Sequence, residues 1–210
     1  MGMKGKVVLI TYEKNEIDRN LILSFAEMGA IVHFTYVTHS LDVELMEQEA
    51  TMKQFQIYPH LIDELHKSEI TLLINHFDHI DIFINHVNSF SNQTVAMMSS
   101  AQWDRVMLLN LNKSFNYLNL VSKKMIIRRT GNIINILSIG SLKGIEMHGN
   151  YCVSQAGILS LSQILSREVA PMNIRVNAIA YGFIEMECLD NLSPQIKKRT
   201  KDKIPCQRFG

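Results

Sequence analysis

Six short apolar runs punctuate this chain, and between them lie longer stretches in which apolar residues recur every three or four positions. That alternation constrains the fold more than any other feature. A strand followed by a helix that returns over the sheet makes a parallel neighbour, and repeated units of this kind build a parallel sheet covered on both faces. The expected strands cover residues 6–11, 30–36, 54–58, 81–85, 132–137 and 173–180. Helical spacing joins Ile17, Leu21, Ile22, Phe25 and Met28, then Leu41, Leu45 and Met46, then Ile70, Leu73, Ile74 and Phe77. Two longer helices are expected over 100–127, with Trp103, Met107, Asn110, Leu111, Phe115 and Leu118 inward, and over 151–170, stopping before Pro171. The expectation is one doubly wound, Rossmann-like α/β domain over residues 1–210, with its ligand outside the carboxyl ends of the strands.

Composition excludes several function classes. The net charge is +1 and 20% of residues are charged, so no large field favours nucleic acid or an anionic membrane. The run over 7–10 is too short for a membrane span or a signal core and reads as a buried strand. Cys152, Cys188 and Cys206 are odd in number and lack ligand spacing, which implies a reducing, cytoplasmic setting. His76, His79 and His86 lie in helix-end, loop and strand contexts without ligand spacing, so they read as scattered surface residues and no metal is expected. Met97, Met107 and Met125 read as core or interface filler, and 197–203 as a solvated helix face.

Specific motifs then appear in order. GNIINILSIGS at 131–141 and NYCVSQAGILSLSQILSREVAPMNIRVNAIAYGFIE at 150–185 resemble the second half of a short-chain dehydrogenase/reductase, most closely a beta-ketoacyl-acyl-carrier-protein reductase. DIFINH at 81–86 resembles that family's DxLVNNAG strand, and WDRVMLLNLNKSF at 103–115 carries Asn110 at the family's asparagine. The resemblance implies an NADP- or NAD-dependent carbonyl reductase acting on an acyl thioester. Ser138 would hold the carbonyl oxygen, Tyr151 would donate the proton and Asn110 would anchor a relay water. It also implies cofactor contacts from Thr11, Ile17, Asp63, Asn85, Gly182 and Ile184. The helices over 100–127 and 151–170 would pair copies of the chain, or this chain with an intact relative.

The departures fall on the cofactor side. The family's YxxxK becomes Tyr151 to Gln155, which removes the ammonium that would sit one helical turn away and lower the tyrosine pKa. TGxxxGIG becomes Thr11, Tyr12, Glu13, Lys14, Asn15, Glu16, Ile17, Asp18. This loses three glycines and directs the carboxylates of Glu16 and Asp18 towards the expected pyrophosphate position, while reading well as a capped helix without an anion. NNAG becomes Asn85, His86, Val87, Asn88, and PGxIxT becomes Tyr181 to Met186. FTYVTHS offers neither an acid nor an arginine to separate NAD from NADP. The family's last helix and strand are not represented, so an exposed sheet edge is expected. Three readings stay open: a non-catalytic binding or assembly protein, an active reductase using Ser138 and Tyr151, and a small-molecule binding module.

Overall fold

The computed structural model describes residues 2–185 and 193–210, so Met186 and Cys188 lie outside the described residues. Six parallel strands form one sheet in the order β3-β2-β1-β4-β5-β6. They are β1 (Val7–Thr11), β2 (Ile31–Tyr36), β3 (Ile57–Leu61), β4 (Ile82–His86), β5 (Gly131–Ser138) and β6 (Ile174–Tyr181). Helices α1 (Glu16–Glu27) and α2 (Leu41–Lys53) cover one face. There Val8, Ile10, Val32 and Phe34 meet Ile22, Ala26, Val43 and Met46. On the other face α3 (Lys67–His76), α5 (Lys113–Arg128) and α6 (Gly149–Val169) pack Ile70, Tyr117, Val121, Met125 and Val169 against Leu9, Phe83 and Ile133. The doubly wound expectation is therefore met, with β3 and β6 as edges and Ile179 on β6 half-exposed. A further helix, α7 (Pro194–Asp202), buries no side chain, which agrees with a solvated basic face.

Three details correct the sequence reading. The third strand begins at Ile57 rather than residue 54, because α2 continues to Lys53 and Gln54 closes it in the left-handed conformation at φ 56°. The expected helix over 100–127 is α4 (Ser100–Val106), a π turn (Met107–Asn112) and α5 (Lys113–Arg128). The wide turn resets the helical phase of α5, so Phe115 faces outward while Tyr117 and Leu118 are buried; ahead of it Trp103 on α4 is exposed, and Asn110 within it is buried. Met97 is 73% exposed, so of the three methionines singled out only Met125 is fully core.

Histidine supplies a first prediction. His33 on β2 and His60 on β3 approach through Nδ1 and Nε2 at 2.9 Å, with Phe77 edge-on to the His33 ring. Burial above all, and then the neighbouring His60 and His76, push His33 down to about 4; burial likewise lowers His60. A histidine depressed in the fold binds its proton more readily in the unfolded chain. Stability is therefore intact above the ordinary histidine value of about 6.5 and is lost as pH falls towards about 4. The urea midpoint should drop between pH 7 and pH 5, and His33→Gln should flatten that drop.

Candidate functional site

Strand order reverses between β1 and β4, so their carboxyl ends adjoin at the centre of the sheet, where folds of this class take up ligand. On the β4–β5 side the structure gathers Ser138, Tyr151 and Gln155. Ser138 ends β5, and its Oγ accepts from the Gly140 amide at 3.1 Å. Tyr151 lies in the first turn of α6, buried, and its hydroxyl donates to Asn88 Oδ1 at 3.0 Å. Phe90 meets its ring edge-on. Burial raises the Tyr151 pKa first, Ser138 pulls the other way, and Cys152 and Glu13 add to the rise. A raised pKa makes the phenol a weaker proton donor at neutral pH.

Gln155, one turn further along α6, is fully buried. Its Nε2 donates to the Val87 carbonyl at 3.0 Å and its Oε1 accepts from the Ser138 amide at 3.1 Å. The residue at the family's lysine position thus ties the end of β4 to the end of β5, with donor and acceptor both engaged. Asn110, set by the π turn, bonds Ser89 through both ends and donates to Ser154 Oγ at 2.9 Å. Ser154 in turn donates to the Tyr151 carbonyl, so Asn110 supports the tyrosine turn of α6 indirectly.

The β1–β4 side is built differently. Thr11 Oγ1 donates to the His86 carbonyl and accepts from the His86 amide, both at 2.7 Å, clamping β1 to β4 at the point of reversal. The following loop turns through Lys14 at φ 52°, a left-handed residue without glycine's freedom. Asn15 caps α1, its side chain accepting from the Asp18 amide, as the capped-helix reading requires. The Asp18 carboxylate turns inward and bonds within the chain. It is fully buried, accepts from the Glu13 amide at 2.8 Å and from Asn15 Nδ2 at 3.0 Å, and meets His86 Nδ1 at 2.6 Å. His86 is therefore not a surface histidine: it is 2% exposed, and its Nε2 lies 3.3 Å from the Tyr181 hydroxyl. Glu16 stays exposed, while Tyr12 is buried edge-on to Phe34. Burial, Asp42 and Asp18 together push the Tyr12 phenol up to about 12, against Arg19.

Sequence reasoning missed a second cluster beside this loop. Lys113 Nζ is buried between Glu13 Oε1 at 2.5 Å and Glu64 Oε2 at 2.7 Å. Glu64 Oε1 also accepts from Thr35 Oγ1 at 2.6 Å and from Tyr117 at 2.9 Å. Burial works against the Lys113 charge, but Glu64 and Glu13 outweigh it and hold the ammonium protonated; burial and Glu64 push the Tyr117 phenol far up. The available signal was phase. Lys113 follows Asn110 by three positions and precedes Tyr117 by four, the stripe that turns inward.

The remaining expected cofactor residues are dispersed. Ile17 is half-buried on α1. Asp63 is bonded to the Leu65 amide and His66, which hold its carboxyl below the ordinary range despite the burial that opposes them. Asn85 is buried against Ser114 and Asn135, Gly182 is exposed, and Ile184 lies beside Gly210. Among the described residues no group of three metal-ligating side chains occurs, and no helix is long and apolar enough to cross a membrane. The residues present do not fit a dinucleotide. A pyrophosphate needs free backbone amides at a glycine turn and helix N-terminus, whereas the Glu13 amide is bound by Asp18 of α1 and the Asp18 amide by the Asn15 cap.

A 3-2-1-4-5-6 parallel sheet with Ser138, Tyr151 and Asn110 assembled at its carboxyl edge defines a short-chain dehydrogenase/reductase, and the chain belongs to that family. A family described as enoyl-(acyl carrier protein) reductase matches residues 14–210. Among curated relatives, the 3-oxoacyl-[acyl-carrier-protein] reductase of Thermotoga maritima is 29% identical, covering 100% of this chain and 87% of that protein. The enzyme of the same name from Staphylococcus epidermidis is 31% identical over 98% of this chain and 86% of its own length. The crystal structure of a 3-oxoacyl-[acyl-carrier protein] reductase from Brucella melitensis shares the fold at a TM-score of 0.90 and 24% identity, over 100% of this chain and 81% of that one.

Proposed function

We propose that this chain is a non-reducing member of the family, resembling 3-oxoacyl-thioester reductases, whose role is binding or assembly rather than hydride transfer. The observation that carries this reading is Gln155. A neutral amide stands where the chemistry calls for an ammonium, and both its ends are engaged by Val87 and Ser138. Among the described residues Tyr151 consequently has no cation to lower its pKa against the effect of burial. A groove between α5 and α6, lined by Phe115, Leu118, Ile126, Leu161, Ile164 and Met172, supports assembly with a second copy or an intact relative. Phe115 is 49% and Ile164 51% exposed there, more apolar surface than a free helix pair favours. We take residues 1–210 as one domain working in the cytoplasm.

One grouping favours a second reading, an NADPH- or NADH-dependent 3-oxoacyl reductase: Ser138 and Tyr151 remain beside one another, supported by Asn110. Calorimetric titration with NADPH and NADH, followed by an acetoacetyl-thioester reduction assay, separates the two. The expected result is no saturable heat in the micromolar range and no turnover above background. Micromolar binding with measurable reduction would establish the reductase instead.

A further inference from the structure

Resting on the non-reducing reading, we infer that the ligand crevice of this fold is closed by the chain itself: one mutually satisfied polar cluster occupies the β1–β4 reversal, and a second runs from the loop after β1 to the segment after β3. The first is Asp18, His86 and Tyr181, residues 68 and 95 positions apart in pairs yet joined in one hydrogen-bonded series. The second is Glu13, Lys113 and Glu64, extended by Thr35 and Tyr117.

Three observations support a built replacement rather than erosion. Random loss of a binding site leaves buried polar groups without partners, because each substitution arises independently of its neighbours. Here Asp18 accepts three hydrogen bonds or close polar contacts while fully buried, and Lys113 sits between two carboxylates. Glu13, Glu64, Lys113, Asp18 and His86 are all absent from the buried side-chain atoms that lack a partner among the described residues. Moreover, two backbone donors at the start of α1 are taken by side chains of the chain itself. The Asp18 carboxylate accepts from the Glu13 amide, and Asn15 accepts from the Asp18 amide, so an internal anion and cap stand at the start of α1. Finally, Thr11 fastens β1 to β4 by two hydrogen bonds directly beneath these groups.

A thermodynamic cycle tests this inference. Asp18→Gly leaves His86 Nδ1 and the Glu13 amide unpaired, and His86→Asn leaves a buried carboxylate short of a partner. Each single change should lower the melting temperature by about 5 °C or more, and the double variant should melt no lower than the worse single one. The melting temperature of the unaltered protein should not move with saturating NADPH or NADH. Strictly additive losses in the cycle would overturn the closure while leaving the non-reducing reading intact. A saturable upward shift with either nucleotide would overturn both. Should Asp18→Gly fail to fold, Asp18→Asn with His86→Gln replaces it in the cycle under the same criteria.

Discussion

Lys113→Met should be the most damaging single substitution in this protein, costing about 3 to 5 kcal/mol of unfolding free energy. The ammonium is buried and lies within hydrogen-bonding distance of Glu13 and Glu64. Methionine matches its length but leaves two carboxylates facing each other without a cation, and one of them, Glu64, is 3% exposed. Urea unfolding would register the loss, and the melting temperature should fall by about 10 °C for a chain of this size. The triple variant Lys113→Met, Glu13→Gln, Glu64→Gln should recover most of it. It removes every charge of the cluster, while the Glu64→Gln side chain keeps an acceptor oxygen for Thr35 and Tyr117. A triple variant no more stable than Lys113→Met would mean that the lysine acts through packing rather than charge.

Gln155→Lys carries the second large effect, and its direction runs against a simple repair of the family motif. Lysine offers donors and no acceptor. It can replace the bond to the Val87 carbonyl but leaves the half-buried Ser138 amide without its acceptor, beside a fully buried side chain. Among the described residues no carboxylate is bonded to Gln155, so the new charge must be neutralised or left without a partner. The expected loss is about 2 to 4 kcal/mol, with no gain in acetoacetyl-thioester reduction. A stable variant with restored turnover would show that the glutamine alone silences the site and that the β1–β4 side still accepts a dinucleotide.

Much of the architecture was legible because its causes are local. Apolar runs and helical periods are read within a dozen residues, and they placed the six strands and the covering helices. The strand displaced from 54–58 to Ile57–Leu61 shows the limit: the left-handed stop at Gln54 has no compositional signature. The grouping of Ser138, Tyr151 and Gln155 was legible through the resemblance to the family, with one turn of α6 setting the spacing of the last two. Asp18 with His86, and Lys113 with Glu13 and Glu64, were not legible. Those pairs are separated by 49 to 100 positions, and taken singly each residue reads as an ordinary surface charge. The parallel register brings the end of β1 beside the end of β4 and so makes Asp18 and His86 neighbours, while Lys113 is reached from the loop after β1 and the segment after β3. The π turn at Met107–Asn112 shifted the phase of α5, which turns Phe115 outward although Lys113 stays on the inward stripe with Asn110 and Tyr117.

The Thr11 clamp between β1 and β4 bears on how long such a protein lasts in a cell. A fold that closes around a soluble cofactor gains stability by mass action, so its unfolded fraction rises whenever that cofactor runs low. Side chains fixed in the same polypeptide are present at one constant effective concentration, whatever the metabolic state. A crevice closed as proposed would make the folded lifetime of this chain independent of nucleotide supply, with its abundance following synthesis and proteolysis alone.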